Sequence, residues 1–373
     1  MESKKEVIGI DEAVSAYFDT PPHSVTPYGN GHINDTFLVF GDERFILQRM
    51  NTTVFPRPVE LMENIIGVTQ YVRTALSNEA KDSKRGTLTV LPTLYGNLYF
   101  VDSHGGYWRL YKFIENSVTF EKVESALDFY RCGIAFGNFS QLLGNYPAES
   151  LHCTVENLHN TPWRYENLME AIENDVAGRV ATVSDEIEFV KYRRELSFML
   201  ENAHRDGKLP LRVTHNDTKL NNILFDAETH EPVCVIDLDT VMPGYSVTDF
   251  GDSVRFGANK ASEDETDLSL VTLDMELFNA YARGFIKGCK GGLTNEEIML
   301  LPYGALVITF ELGMRFLTDY LNGDVYFKIH RPNHNLERAR CQFALLKDME
   351  NKLDDMIEII EKLQGEYNEE NYS

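Results

Sequence analysis

Basic residues are in short supply in this chain of 373 residues: 35 Lys and Arg stand against 58 Asp and Glu, a formal charge of −23. A surface of that sign repels phosphodiester backbones and anionic lipid, so neither nucleic acid nor a membrane is expected as a partner. Cysteine is equally uninformative as a framework. The five cysteines, Cys132, Cys153, Cys234, Cys289 and Cys341, form no C-x-x-C pair. An odd, scattered set predicts reduced thiols in a cytoplasmic protein and excludes a zinc site or a disulfide scaffold. Long apolar runs are missing as well. The most apolar stretch, Ala305 to Leu317, is short and interrupted by Glu311 and Arg315, which predicts no membrane span. Behind Met1-Glu-Ser-Lys-Lys-Glu there is no apolar h-region, so no signal peptide is expected. Repeats and low-complexity segments are absent apart from the acidic tail from Glu366 to Ser373, expected to be disordered. What remains is an ordinary globular composition, 43% hydrophobic and 25% charged, long enough for two or three core-bearing units.

One stretch departs from this background: Val213-Thr-His-Asn-Asp217-Thr-Lys-Leu-Asn-Asn222-Ile-Leu-Phe225, followed by Val235-Ile-Asp237-Leu-Asp239. His215-x-Asp217 is followed by Asn222 five residues after the Asp, and a second apolar run delivers Asp237. Phosphoryl transfer needs one carboxylate to orient the attacking hydroxyl and take its proton. It also needs a neutral oxygen ligand and a further carboxylate to hold magnesium on the phosphates of ATP. The catalytic loop of protein kinases has the same spacing. Asn222 to Phe225 and Pro232 to Ile236 look like the strands of a hairpin turned at Asp226 to His230. Antiparallel pairing would bring Asn222 beside Asp237. A polar loop of turn-forming Asp and Asn is the bland alternative, and the spaced Asn and the following Ile-Asp-Leu-Asp weigh against it.

These residues resemble the aminoglycoside phosphotransferase and choline kinase family of small-molecule kinases. Four further segments match a hexosamine-kinase subgroup of it: Gly29 to Phe37, Phe45 to Asn51, Thr248 to Arg255, and Glu311 to Tyr320 with Gly323 to Phe327. The likeness runs from about Tyr28 to Gln342. It implies an ATP- and magnesium-dependent phosphotransferase acting on the anomeric hydroxyl of an N-acetylhexosamine. Alternatives are a choline, amino-alcohol or aminoglycoside kinase of the same fold, or a nucleotide-binding regulator without catalysis.

The order of elements agrees. Up to about residue 114 the chain reads as a small, mostly β unit: a short helix at Asp11 to Phe18, strands around Phe37, Phe45, Thr87, Leu98 and Tyr107, and one main helix from Pro58 to Thr74 with Leu61, Ile65, Val68 and Val72 at helical spacing. From 115 to 373 it turns helical: Ser125 to Leu143, Trp163 to Asn174, Asp185 to Ala203, Asp274 to Lys287, Thr294 to Leu321 and Leu336 to Leu363. Thr294-Asn-Glu-Glu297 has the form of a capping box. The predicted class is α+β, a protein-kinase-like two-lobed fold with a small β-rich N-lobe for the nucleotide and a larger, mainly helical C-lobe for catalysis and acceptor binding.

Gly29 and Gly31 are candidates for a turn over the phosphates. The strand that should carry a phosphate-pairing lysine reads Phe45-Ile-Leu-Gln48-Arg49. Gln48 occupies the lysine's place, and Arg49 can replace it only if a bulge shifts the register. Glu60 or Glu63 would be the cation's partner. Adenine is expected against the backbone from Lys112 to Glu115, with Leu47 and Phe113 as apolar walls. Asp239 is a candidate for a second magnesium ion, or else an exposed strand-end carboxylate. His215 is expected to brace the loop, with a role as base as the lesser alternative, and by the family likeness Asp249 ties that loop down.

On the acceptor side, Glu311, Arg315 and Asp319 fall at four-residue spacing on one helix. Spacing alone favours a solvated face of i,i+4 ion pairs. The family likeness favours Arg315 and Asp319, with Tyr326, as sugar-binding. His32 and Asn34 are candidates for contacts to phosphate or sugar.

Overall fold

The structure, a computed structural model, describes residues 7–29 and 33–372. The first elements in chain order are α1 (Ile10–Tyr17), β1 (Ser24–Pro27), β2 (Asp35–Phe40), β3 (Arg44–Met50), α2 (Pro58–Asn78), β4 (Val90–Leu91), β5 (Phe100–Val101), β6 (Tyr107–Lys112) and β7 (Ser117–Val118). Then come α3 (Ala126–Leu142), α4 (Thr161–Asn174), α5 (Ser184–Tyr192), α6 (Met199–Arg205), β8 (Arg212–Thr214), β9 (Ile223–Asp226), β10 (Pro232–Val235) and β11 (Met242–Gly244). The last are α7 (Ser246–Gly257), α8 (Met275–Cys289), α9 (Asn295–Leu321), α10 (His334–Asn351) and α11 (Leu353–Tyr372). The α+β class expected from the sequence is what the structure shows.

Two compact units result. The first comprises Met1–Val118, Ser150–Glu156 and Leu224–Met242, and the second Thr119–Glu149, Asn157–Ile223 and Pro243–Ser373. A single boundary at residue 114 is therefore corrected. The first unit runs to Val118 because β7 pairs with β9, Ser117 opposite Asp226, which draws the β9–β10 hairpin into it.

In the first unit an antiparallel sheet has the order β1-β2-β3-β6-β4, with β5 also on β6. Alternation decides its two faces. Phe37, Leu47 and Leu110 share one face and close over Ala13, Ala16 and Tyr17 of α1 in a common core. Thr36, Gln48 and Arg109 lie side by side on the other face. Pro58 opens α2, where its missing N–H leaves no bond unmade, and Leu61, Ile65, Val68 and Val72 are buried as their spacing predicts.

The second unit is mainly helical. Its central helix, α9, opens on the predicted capping box, with Thr294 and Glu297 each bonded to the other's backbone. Glu297 is fully buried and also receives the Arg212 guanidinium at 3.0 and 2.6 Å and the Ser246 hydroxyl at 2.9 Å. By length and composition α9 is apolar enough to cross a membrane, but 83% of its apolar window is buried inside the protein, as in a core helix. Elsewhere tertiary contacts override periodicity. The helix expected over Asp185 to Ala203 stops at Arg193, whose guanidinium is drawn to Glu350 (2.8 and 2.7 Å). That expected over Leu336 to Leu363 breaks at Lys352, whose ammonium bonds Asp348, Thr272 and the Leu273 carbonyl, each at 2.8 Å. The acidic tail expected to be disordered is helical as far as Tyr372.

Helices α7 and α9 cross at Gly251 and Gly304. A Cβ on Gly304 would fall against the carbonyl of Val247, and one on Gly251 against the backbone of Gly304. Helix propensity alone favours Ala over Gly by ~1 kcal/mol. Gly304→Ala is nevertheless expected to destabilise the protein by about 1–3 kcal/mol, because the backbones must separate. Chemical denaturation checks this, and an unchanged midpoint would show that the crossing has slack.

Candidate active site

In the second unit, β8 ends at Thr214 and the chain turns through Asn216 at φ 63°, a left-handed conformation that Asn adopts more readily than most residues. The Asp249 carboxylate, in the first turn of α7, accepts the amides of His215 (2.7 Å) and Asn216 (2.8 Å). Thr218 Oγ1 donates to the Asp249 carbonyl at 2.6 Å. Burial raises the Asp249 pKa above the ordinary carboxylate value, while His215 and the two amides oppose the rise. His215 is fully buried, edge-on to Phe136 and Phe139 at 5.6 and 5.9 Å, and its Nδ1 accepts the Asp217 amide (3.3 Å). A ring with no exposed surface braces the loop and is set aside as a base.

Asp217 keeps 27% of its side chain exposed. Asn222 Nδ2 donates to its carbonyl (2.8 Å) and to its Oδ2 (3.1 Å). Both partners are acceptors, so the amide nitrogen faces them and Asn222 Oδ1 points elsewhere, a neutral oxygen of the kind a hard divalent ion takes. Lys219 Nζ stands 2.7 Å from Asp217 Oδ1. Burial alone would lower the Lys219 pKa, but Asp217 and Asp252 outweigh it and the pKa is raised. Lys219 was missed in the sequence, although its signal was there: a cation two residues after the Asp on the same loop.

The stripe on α9 is not a solvated face. Glu311 is fully buried, and its oxygens accept from His159 Nδ1 (2.9 Å) and Thr161 Oγ1 (2.8 Å). His159 Nε2 donates to the Asn216 carbonyl at 3.1 Å. Both ring nitrogens face oxygen acceptors, so the imidazole donates twice and is cationic. Burial alone would lower the His159 pKa, but Glu311 outweighs it and holds the pKa above 6.5. Burial alone would raise Glu311, but His159 and then Arg315 hold its pKa below 4.5. The Arg315 side chain is only 10% exposed, 4.0 Å from Glu311 and over the Phe327 ring at 5.6 Å. Arg164 joins this group, its pKa pushed down to about 10 by burial and then by Arg315. Neither His159 nor Arg164 was singled out in the sequence, because nothing local marks them.

Asp319 is corrected. Its carboxylate accepts the amides of Val325 (2.9 Å), Tyr326 (2.8 Å) and Phe327 (2.9 Å) and the Asn335 amide (2.8 Å). It anchors the loop after α9 and has no oxygen left for a sugar. Tyr326 is 67% exposed on that loop.

In the first unit the β3–β6 register runs unbroken from Phe45↔Lys112 to Met50↔Tyr107. With no bulge, Arg49 stays on the face opposite Gln48, beside Asp35 at 4.0 Å, and is corrected as the replacement for lysine. Gln48 donates to Thr36 Oγ1 (3.1 Å) and accepts from Arg109 Nε (3.0 Å). The Arg109 terminal nitrogens reach the two Asp239 oxygens at 2.5 and 3.0 Å. Burial alone would lower the Arg109 pKa, but Asp239 outweighs it and the guanidinium stays charged. Asn34 Nδ2 donates to Asp239 Oδ2 (2.7 Å), and its Oδ1 accepts the Asn51 amide (3.0 Å). Asp239 is thus neither an exposed strand-end carboxylate nor open to a second ion, and Asn34 is not turned toward phosphate or sugar. Both are corrections, since partners distant in sequence hold these side chains.

Glu60 and Glu63 are not the cation's partners; Arg57 (3.3 Å) and His152 (2.7 Å) hold them. Leu47 lies in the core against α1, so it is no adenine wall. Phe113 lies under the Arg44 guanidinium at 4.4 Å, and Glu115 pairs with Arg44. Gly29 has φ 77°, while Gly31 and His32 lie outside the described residues. Asn222 directly precedes β9, and Asp237, at φ 58°, follows β10 by two residues.

A β-sheet unit holding buried charge and a helical unit carrying a braced Asp loop are the parts of a protein-kinase-like phosphotransferase. Residues 24–284 match the model of the phosphotransferase enzyme family, and the chain belongs to that family. Solved structures share the fold. A microcompartment-associated aminopropanol kinase is 16% identical with a TM-score of 0.63, covering 93% of this chain and 98% of its own. An aminoglycoside phosphotransferase from Alicyclobacillus acidocaldarius is 12% identical with a TM-score of 0.60, covering 98% of both. An amicoumacin kinase in complex with AMP-PNP and Ca2+ is 14% identical with a TM-score of 0.57, covering 92% of both.

The His159–Glu311 pair gives stability a pH dependence with a definite sign. The His159 pKa is raised, so its contribution is full below 6.5 and fades as pH rises through the folded value. The Glu311 pKa is lowered, so its contribution is full above 4.5 and fades as pH falls through the folded value. The difference in melting temperature between wild type and His159→Gln should be largest between those limits and shrink toward alkaline pH. A constant difference would mean that His159 is neutral in the folded protein.

Proposed function

We propose that this protein is an N-acetylhexosamine 1-kinase: an ATP- and magnesium-dependent enzyme that transfers a phosphoryl group to the C1 hydroxyl of GlcNAc or GalNAc in the cytoplasm. Asp217 orients that hydroxyl and takes its proton. Lys219 and Asn222 hold the carboxylate in one rotamer, which supplies the positioning such transfers depend on. Asn222 Oδ1 in the helical unit and the Asp237 carboxylate in the sheet unit are each an oxygen of the kind that takes magnesium, which neutralises charge on the phosphates. The fold neighbour solved with AMP-PNP and Ca2+ supports a nucleotide and a divalent cation.

The observation that carries the acceptor class is the cluster around Glu311. Arg164, Arg315 and a cationic His159 stand around the buried Glu311; Asp252 and Asp249 act on His159 from its other side, so the positive charge is least compensated at Arg164 and Arg315, and His159 bonds the group to the loop of Asp217. Such a wall repels an ammonium group and suits the hydroxyl and carbonyl oxygens of a neutral N-acetylated sugar. Two fold neighbours are named for acceptors that carry amines, an aminopropanol and an aminoglycoside. The same cluster argues against both here. The intact Asp217, Asn222 and Lys219 arrangement argues against a regulator without catalysis.

ATP consumption over a panel of N-acetylhexosamines, amino alcohols and aminoglycosides is the test. Turnover of GlcNAc or GalNAc to an anomeric phosphate is expected. Turnover of an amino compound with none of the sugars would overturn the reading.

Asp217→Asn should lower kcat by ~10²–10⁴-fold with ATP affinity nearly unchanged. Retention of more than about a tenth of wild-type kcat would remove Asp217 from its role. Arg315→Ala should raise the KM for sugar on the order of ten- to a hundredfold, from loss of a charged hydrogen bond, and leave the KM for ATP alone. Unchanged sugar kinetics in the folded variant would show that Arg315 serves only the interior of the helical unit.

A further inference from the structure

The Arg109–Asp239 pair has no task in the reaction as proposed. Arg109 is 1% and Asp239 3% exposed, and such a pair carries a desolvation penalty that good geometry only partly offsets. Its placement is informative. Gln48 stands where a kinase strand has its lysine, and the cation appears one strand over, at the directly opposed position of β6. Its carboxylate partner comes not from α2 but from the turn that follows Asp237.

That turn is tied down at several points. Both Asp239 oxygens receive Arg109, and Oδ2 also receives Asn34, which is bonded in turn to the backbone at the end of β3. From α2, Asn64 Nδ2 donates to the Val241 carbonyl at 3.1 Å. Between β10 and these anchors lies Asp237, at φ 58° and ψ 58°, a left-handed conformation that a residue with a Cβ keeps only where its surroundings hold it.

We propose that Arg109 and Asp239 form a clamp that holds Asp237 in its left-handed, metal-facing conformation, in place of the strand-lysine and helix-glutamate pair of protein kinases, and that neither side chain of the clamp touches nucleotide or metal. Arg109 and Asp239 are positioning residues, and the inference rests on the reading of Asp237 as a metal ligand. The buried guanidinium offers almost no surface to a phosphate. The carboxylate already accepts three hydrogen bonds.

The test is Mn2+ binding in the presence of AMP-PNP, followed by electron paramagnetic resonance, with no acceptor sugar. Arg109→Gln should weaken Mn2+ affinity by ~10-fold or more, the usual effect of losing a group that orients a metal ligand, while metal-free AMP-PNP affinity stays the same. Because a lone buried Asp239 can unfold the protein, the double variant Arg109→Met with Asp239→Leu is measured beside it. It leaves no unpaired charge and is expected to fold, yet to bind Mn2+ as weakly as Arg109→Gln. Asp239→Asn keeps an acceptor for Arg109 and should lose far less Mn2+ affinity than Asp237→Asn.

Wild-type Mn2+ affinity in the double variant would overturn the clamp and leave a purely structural pair. Equal losses in Asp239→Asn and Asp237→Asn would overturn it in favour of Asp239 as a ligand. If the wild-type protein bound no Mn2+ with AMP-PNP, the kinase reading would fail together with the clamp. Failure of the clamp alone leaves wild-type binding intact.

Discussion

The loop that carries Asp217 depends on one buried carboxylate. Asp249 accepts two consecutive amides, those of His215 and Asn216, and these bonds set the direction in which the chain leaves β8. Together with the bonds from His159 and Thr214 they hold Asn216 in its left-handed conformation and so fix the angle at which Asp217 leaves the strand end. Burying a carboxylate is unfavourable unless its oxygens are bonded, and backbone amides are the partners least able to move away. The constraint passes backward through the fold. Asp249 is where it is because α7 lies against α9 with glycine at the crossing, so the backbones meet without side chains between them.

The same logic recurs wherever charge is buried. Arg212 enters Glu297 with two bonds, Arg255 is shared by Asp252 and Glu263, and His159 and Thr161 divide Glu311. The Glu297 and Glu311 sets join elements far apart in sequence, whereas Arg255 and Asp252 pair within α7, and removing a charged partner from any of them would leave a lone charge. The net charge of −23 lies over an interior whose buried charges are matched locally. Total charge therefore says nothing about the acceptor.

Much of the site was legible as spacing. His215, Asp217, Asn222 and Asp237 stand at intervals that bring two strand ends and a loop into play, and the capping box at Thr294 and Glu297 was readable letter by letter. The anomaly at Gln48 was readable too, but not its resolution. Arg109 sits in Tyr107-Trp-Arg-Leu-Tyr, where an arginine looks like any strand residue, and only the register shows that it stands opposite Gln48. Carboxylates misled most. Asp239 and Asp319 both looked available to ligands; Asp239 proved to be bonded by an arginine that sequence distance concealed, and Asp319 by the backbone of the loop just after its own helix. A carboxylate serves a cation, a metal, a sugar or a run of amides equally well, so its identity fixes none of these. Periodicity placed Glu311 and Arg315 on one face of α9 but not what covers that face. The stronger signal was the apolar character of the rest of the helix. A charged stripe on a helix hydrophobic all round has to be inside, and inside it has to be paired.

Groups proposed for chemistry are each held by a bonded or charged neighbour. Asn222 and Lys219 fix Asp217, Glu311 stands beside Arg315, and Asp239 carries Arg109 next to the turn of Asp237. Such support fixes geometry before any substrate arrives, which is what preorganised electrostatic stabilisation requires. It also explains how a kinase-like sheet can tolerate Gln48 in the lysine's place. A strand cation does two separable things: it contacts phosphate, and it neutralises a carboxylate on a neighbouring element. A guanidinium one strand over can do the second from a buried position that an ammonium would fill poorly, because its planar fork bonds both oxygens of Asp239 while its Nε still reaches Gln48. The sheet thereby keeps the turn in place without a cation at position 48 of β3.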